Sequence, residues 1–470
     1  MNYRQTMEYI EALSRYGSVL GLDSMERLCA ALGQPQESLR IIHVAGTNGK
    51  GSTVAYLASI LQAAGYRVGA YTSPTISDYR ERFCVNGRMI SQKNLCEYMG
   101  RMKETCEEIT SRGFPHPTAF EVETALAFLY FQEKNCDYVV LEVGMGGAGD
   151  ATNIIQHPVA CVWASISMDH MAVLGKTLGE IAAVKAGIAK PGAVYVTTMQ
   201  KPEAMAELKK AVEKCCEPAA EREDDISAFD RETDMEGTTK KENLCPKANP
   251  QKMEDRLIIA DSAEAKIRSE NLTTQQFDYR ELKKLKIHLA GRHQIDNAVL
   301  AVECLRQLRL RGLKISDQAI YDGLERTRWP GRMEVIGKHP LFVLDGAHNE
   351  DAAGKLARNI EIYFTNKRII YIMGVLKDKE YEKILARTAR YADHILTITP
   401  PENARALPAL ELAQAARQYH ERVTNAASLE EAVELSHLLA GREDAILCFG
   451  SLSYLGKMKR AYQEFQKRKL

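Results

Sequence analysis

The residues best suited to chemistry lie in HVAGTNGKGS, positions 43 to 52. Gly46, Gly49 and Gly51 let backbone amides, including those of Thr47 and Asn48, approach an anion. Lys50 supplies a positive charge for β- and γ-phosphates, and the hydroxyls of Ser52 and Thr53 can ligate a magnesium ion. A Walker A loop places Ser or Thr directly after Gly-Lys, whereas Gly51 here separates Lys50 from Ser52. The residue types therefore argue for bound phosphate, in a loop that departs from the ordinary pattern.

Two more stretches carry reactive groups. In VVLEVGMGGAGDATN, Glu142 falls inside an apolar run, where an unpaired carboxylate is costly. It calls either for a metal ion beside the phosphates or for a Lys or Arg partner. The glycines at 144, 146, 147 and 149 read as a flexible loop over the site. In SISMDHMAVLG, Asp169 and His170 end another apolar run. His170 can offer a neutral imidazole nitrogen to the same metal, or serve as a hydrogen-bonded structural group. Lys185, in KTLGEIAAVKAGI, sits on an otherwise apolar side of a helix and by itself reads as a snorkelling lysine.

Groups so far apart in the chain need a scaffold that gathers them. Open α/β sheets do this at the carboxyl ends of their strands. Short apolar runs that read as strands occur at 40–46, 66–73, 136–144, 159–167 and 193–199. Between them, Val54, Leu57, Ala58 and Leu61 mark a helix from Ser52 to Ala64 that Gly65 caps, and Ser91 and Thr118 read as N-caps of two more. Helices are expected at about 293–311 and 316–327, then a break at Pro330-Gly331. Strand and helix alternation restarts beyond it, with strands at 341–349, 368–375, 394–399 and 444–451. The chain so reads as a phosphate-binding α/β domain over 1–328 and a smaller Rossmann-like α/β domain over 329–470. From about 213 to 270 a charged stretch with few large apolar residues reads as a solvated insertion.

Composition narrows the class. A chain of 470 residues, 45% hydrophobic, has material for two or three cores. With 62 Lys plus Arg against 62 Asp plus Glu, no net field recruits nucleic acid or an anionic membrane. The 11 cysteines show no CxxC spacing, which suits small core residues in a reducing compartment. No stretch approaches the length of a transmembrane helix, and the N-terminus has no signal-peptide character, so a cytoplasmic protein is expected.

The motifs HVAGTNGKGS, GMGGAGDATN, SMDHMAVLGKTLGEIAAVKAGI, LAGRHQIDNAVLA, WPGRMEV, LDGAHN and FGSLSYLG occur in this order. Together they resemble the folylpolyglutamate synthase / dihydrofolate synthase family, a branch of the Mur ligases, over nearly the whole chain. The resemblance implies a Mur-ligase-like α/β fold: a P-loop ATPase domain with a mostly parallel sheet, then a Rossmann-like domain. It implies ATP-dependent joining of L-glutamate to folate or dihydropteroate through an acyl phosphate, with release of ADP and phosphate. It further implies that Ser52, Glu142 and His170 hold magnesium, and that Lys185 is carbamylated and holds a second one. Lys50, Lys185 and His170 are then catalytic. Asn297 stands on the adenine side, Arg332, Asp345 and His348 reach ATP from the second domain, and Ser73, Pro74 and Asp150 border the pterin substrate. A monovalent cation and a monomeric state complete the family expectation. Three places depart from the usual pattern: Ser73-Pro74-Thr75 replaces Ser-Pro-His, Gly147-Ala148-Gly149-Asp150 replaces Gly-Gly-Arg-Leu-Asp, and Glu350 follows DGAHN in place of Pro.

Three other readings compete. A cell-wall precursor ligase would carry a nucleotide-sugar-binding domain ahead of the loop, for which about 40 residues are too few. A small-molecule kinase would not need DGAHN in a second domain. An ATP-binding regulator would leave Glu142 and His170 structural.

Overall fold

The computed structural model describes residues 1–17, 19–216 and 256–469. Eight strands form the first sheet: β1 (Ile41–Ala45), β2 (Val68–Tyr71), β3 (Phe83–Val85), β4 (Arg88–Met89), β5 (Tyr138–Glu142), β6 (Ala160–Trp163), β7 (Val194–Thr198) and β8 (Leu257–Ala260). Their order is β4-β3-β2-β5-β1-β6-β7-β8, parallel from β2 to β8, with β3 and β4 added antiparallel at one edge. The central strands are apolar on both faces because both faces are covered. Val44, Val140 and Val162 share one buried cluster with Leu57, Ile60 and Val302, from the helices Lys50–Ala63 and Arg292–Leu310. Val139 and Leu141 point the other way, into a cluster with the helices Gln92–Ser111 and Ala119–Glu133.

Register brings the reactive strand ends to one level: Val44 pairs with Glu142, and Ala45 with Trp163. The helix after β1 begins at Lys50, two residues ahead of the expected Ser52. Gly49, at φ +90°, already turns the chain into the helix, which places Lys50 in its first turn. At the other end Gly65, at φ +92°, follows the last turn as expected. Ser91 and Thr118 are N-caps, and Thr118 forms a reciprocal pair with Glu121.

The expected insertion at 213–270 is narrower than its charge suggested. The helix Pro202–Cys216 runs into it, and Leu257–Ala260 returns to extend the first sheet, so what remains of that reading falls on 217–255, outside the described residues. Charged residues then continue into a three-stranded antiparallel sheet of β9 (Ala265–Glu270), β10 (Gln275–Tyr279) and β11 (Leu282–Ile287). Charge does not prevent these strands, because Lys266, Arg268, Lys283 and Lys284 face solvent while Phe277, Tyr279 and Leu285 are buried.

A second mostly parallel sheet follows, of β12 (Glu334–Lys338), β13 (Leu341–Leu344), β14 (Ile369–Met373), β15 (His394–Thr397), β16 (Val423–Asn425) and β17 (Ala445–Phe449), in the order β12-β13-β17-β14-β15-β16. Only β12 is antiparallel to its neighbour. Trp329, just before this sheet, packs against the chain after β1 so closely that a Cβ on Gly51 would lie 2.8 Å from its ring. No helix among the described residues is long and apolar enough to cross a membrane.

Candidate active site

The loop between β1 and its helix is strapped to the chain beyond β6. The amides of Thr47 and Asn48 donate to Ser165 O at 2.8 and 3.1 Å, and the Thr47 hydroxyl donates to Ser167 O at 2.9 Å. Gly46, at φ +144°, lies against Ala164, where an added Cβ would sit 3.0 Å from the Ala164 Cβ. Gly49 abuts Asn297, whose Oδ1 would lie 2.3 Å from a Cβ there. Asn297 is therefore at the loop, and its own amide donates to Gln294 Oε1 at 3.0 Å. Lys50 Nζ rests 3.3 Å from the carbonyls of both Gly46 and Thr47. Ser52 and Thr53 are buried behind it, and Thr53 Oγ1 has no hydrogen-bond partner.

Glu142 ends β5 beside this loop and is 4% exposed. Among the described residues no Lys or Arg lies within ion-pair distance of it; one backbone donor, Ser73 N, reaches Oε2 at 3.2 Å. Burial pushes its carboxyl up to about 7, opposed by the charge of Lys50, then the Ser73 amide, then Arg332 and Arg82. The structural ion pair considered for Glu142 is thus absent.

Lys185 turns inward, which overturns its reading as a snorkelling residue. It is 5% exposed, and its Nζ donates to Gly46 O at 3.0 Å. Burial first, and the nearby charge of Lys50 second, pull its amine down to about 7. The helix Leu178–Ala186 can bring Lys185 this close only because the Gly-rich stretch after β5 packs directly on it. A Cβ on Gly147 would meet Val184 O at 2.5 Å, and one on Gly144 would meet the Phe120 ring at 2.4 Å. These glycines serve close approach rather than the flexible loop expected of them. Asp150 in the same stretch is buried, accepting from Met145 N at 2.7 Å and from the Thr152 amide and hydroxyl at 3.0 and 2.5 Å. Thr152 Oγ1 is in turn 2.9 Å from His43 Nε2 on β1, so the nucleotide strand and the Gly-rich stretch are joined through one buried polar chain.

His170 follows β6 in a left-handed conformation, φ +51°. Burial, then the charge of Lys379, push its imidazole below the usual range. The second domain closes over this end. Arg332 is half-buried and Asp345 buried; desolvation lowers the one and raises the other, and Arg332 lies within electrostatic reach of both Asp345 and Glu142. Asp345 accepts from Met333 N at 3.0 Å and Ala347 N at 2.9 Å. His348 Nδ1 donates to Gly346 O at 2.7 Å, which leaves Nε2 as the free acceptor; burial holds this imidazole down at about 4.

Asp351 and Lys379 were not singled out in the sequence, and Asn349 stood there only as the last residue of LDGAHN. Asn48 donates to Asn349 Oδ1 at 3.2 Å and Asp351 Oδ2 at 2.8 Å across the cleft, and Lys379 Nζ donates to Asp169 Oδ1 at 2.7 Å. Asn349 belongs to DGAHN, and Lys379 lies in GVLKDKE just past β14, so the strand-end rule applied to the second sheet would have pointed to both.

Among the described residues no three His, Cys, Asp or Glu side chains converge as a self-sufficient metal site. The donors fit magnesium nonetheless. This ion keeps few protein ligands and takes the rest from phosphates and water, and the buried, unpaired Glu142 is a carboxylate in need of a cation.

Family models and known proteins match most of the chain. The family model described as Mur ligase middle domain matches residues 44–305, and that of the Mur ligase, glutamate ligase domain matches 331–452. The chain is 34% identical to the dihydrofolate synthase/folylpolyglutamate synthase of Bacillus subtilis, over 97% of its own length and 98% of that protein. Among solved structures it is similar to Mycobacterium tuberculosis folylpolyglutamate synthase complexed with ADP and AMPPCP, with a TM-score of 0.80 and 26% identity, covering 98% of this chain and 99% of that one. It is similar also to E. coli FolC in complex with DHPP and ADP, with a TM-score of 0.77 and 26% identity over 99% and 98% of the two chains.

Proposed function

The chain belongs to the folylpolyglutamate synthase / dihydrofolate synthase family of Mur ligases, and from that premise we propose that it joins L-glutamate to a folate at the expense of ATP. Dihydropteroate is the second acceptor proposed. The observation that carries this reading is a buried carboxylate, Glu142, and a buried amine, Lys185, each within electrostatic reach of Lys50, with the half-buried Arg332 reaching Glu142 from the second domain. Such a site is short of negative charge that a nucleotide's phosphates would bring.

A carboxylate is a poor electrophile, so it is first phosphorylated. The γ-phosphoryl group passes to the folate carboxylate, and the bond to ADP breaks. The glutamate amine then attacks the acyl carbon, phosphate leaves, and the amine loses a proton. Lys50 offsets charge on the transferring oxygens, and the amides of the loop at 46–51 orient them. Magnesium held by Ser52, Glu142 and His170 would neutralise phosphate charge. Asn297 borders the adenine, while Arg332, Asp345 and His348 approach ATP from the second domain. Lys185 is proposed to react as the neutral amine with carbon dioxide, forming a carbamate and releasing a proton. Its depressed amine supports that, since only the unprotonated nitrogen is nucleophilic. The carbamate would hold a second magnesium. Ser73, Pro74 and Asp150 lie on the acceptor side, where Asp150 is fixed by its own loop and can offer only its remaining lone pairs.

We place the division between the two domains at residues 328 and 329 and infer a cytoplasmic monomer. The cell-wall precursor ligase reading is not favoured, since relatives that match nearly end to end act in folate metabolism by name.

The test is to incubate the chain with ATP, magnesium, labelled glutamate and either tetrahydrofolate or dihydropteroate. Amide product and phosphate should appear in equal amounts. Lys50→Ala should lower the rate by about 10³-fold. Phosphate release without glutamate incorporation, for both acceptors, would overturn the proposal.

A further inference from the structure

The carboxylate of Asp169 is the junction of both domains, yet none of the chemistry above uses it. Its Oδ1 accepts from Lys379 Nζ at 2.7 Å and from the amide of His170 at 2.9 Å. Its Oδ2 accepts from Asn349 Nδ2 at 3.1 Å and lies 3.9 Å from Nε2 of both His170 and His348. Asn349 in turn caps the helix Glu350–Tyr363 and exchanges hydrogen bonds with Asn48 of the nucleotide loop, at 3.2 Å each way.

The pair is not an ordinary surface ion pair. The side chains of Lys379 and Asp169 are each only 10% exposed, so the two charges are desolvated by the approach of the domains and depend on each other. Asp169 also acts on the backbone next to it. His170 holds a left-handed conformation that a non-glycine residue adopts at a cost, and Oδ1 fixes the amide at that very position. A cation from the second domain thus bears, through one oxygen, on how His170 is presented.

We propose that Lys379 is a positioning residue for the ligase reaction: through Asp169 it locks the second domain over the nucleotide loop and fixes the backbone of His170 only when the domains have closed. This rests on the ligase reading above. Lys379 touches no reacting atom in this role. Its removal leaves the nucleotide loop intact but weakens the closed arrangement in which the glutamate amine meets the acyl phosphate.

The experiment compares the unmodified chain with Lys379→Met, Lys379→Arg, Asp169→Asn, Lys379→Asp, Asp169→Lys and the charge-exchanged pair that combines the last two, all in the full chain. Steady-state kinetics for glutamate, ATP and folate are measured beside thermal unfolding. Lys379→Met should unfold normally, keep KM for ATP within about 3-fold, and lose about 10²-fold in kcat/KM for glutamate. Lys379→Arg should recover most of that loss, and the exchanged pair should exceed both of its single variants. A Lys379→Met chain that unfolds normally but keeps more than half of its kcat/KM for glutamate overturns the proposal. So does an exchanged pair no better than its singles, or equal losses toward ATP and glutamate. Should Lys379→Met fail to fold, Lys379→Arg decides, since a loss as large as that of Asp169→Asn would sink the idea. An unmodified chain without ligase turnover contradicts the functional reading instead, which keeps the two failures apart.

Discussion

Glu142 and Lys185 carry opposite charges when ionised, yet burial drives each toward neutrality, the carboxyl up and the amine down to about 7. Both groups are thereby poised for change when charged ligands arrive. The amine has a direct consequence for stability. In the unfolded chain it stays protonated up to its ordinary value of 10.5, so between pH 7 and 10.5 the unfolded state binds more protons than the folded one. Stability contributed at this position therefore rises with pH across that window and is least below pH 7. Lys185→Met should be more stable than the unmodified chain at pH 6.5, by on the order of a few kcal/mol, with the gap shrinking toward pH 10. Denaturant midpoints in carbon-dioxide-free buffer at pH 6.5 and 9.5 check this, and a gap that widens with pH refutes it. Glu142 could be picked out in sequence because a carboxylate in an apolar run is conspicuous. Lys185 stood out only through the family resemblance, since a lysine on an apolar helix usually extends its head to water.

Elements were legible where burial on both faces leaves an apolar run, as in β1, β2, β5, β6 and β7. They were illegible where antiparallel strands carry charge on one side. In β11, LKKLKI, two lysines face solvent and the leucines face inward, and in β9, AKIRSE, which closes the stretch read as an insertion, Lys266 and Arg268 likewise face solvent. The Gly-rich stretch after β5 was legible in composition but not in purpose. Gly146 and Gly147 are demanded by the helix Leu178–Ala186 lying on them, and Gly144 by the Phe120 ring, which sequence spacing does not reveal. Gly147→Ala should therefore cost about 1–3 kcal/mol by overpacking against Val184 and Lys185, and should displace Lys185 from Gly46. Thermal unfolding and phosphate release, taken together, should both fall. Full activity in this variant would show that the stretch has room to spare.

At the scale of the whole molecule, the cleft proposed to take the nucleotide is lined from both domains, with Gly49, Ser52 and Asn297 on one side and Arg332, Asp345 and Lys355 on the other. A ligand bound there ties the domains together and stabilises both. Saturation with ADP and magnesium at about 100 times Kd should add about 2.7 kcal/mol, and an excess of EDTA should remove most of that gain. A thermal shift indifferent to EDTA would contradict the role given to magnesium. By itself the sequence determined the chemical class: the altered phosphate loop, the conspicuous Glu142, the order of seven motifs and the alternation that makes an α/β fold. These are local patterns, readable within a few residues of chain. The tertiary structure alone decided that Lys185 meets Gly46 across 139 residues and that Lys379 meets Asp169 across 210. It also decided that Arg332 reaches toward Glu142 from the second sheet. Such contacts are set by how helices and sheets pack, and no periodicity along the chain encodes which polar groups that packing will bury together.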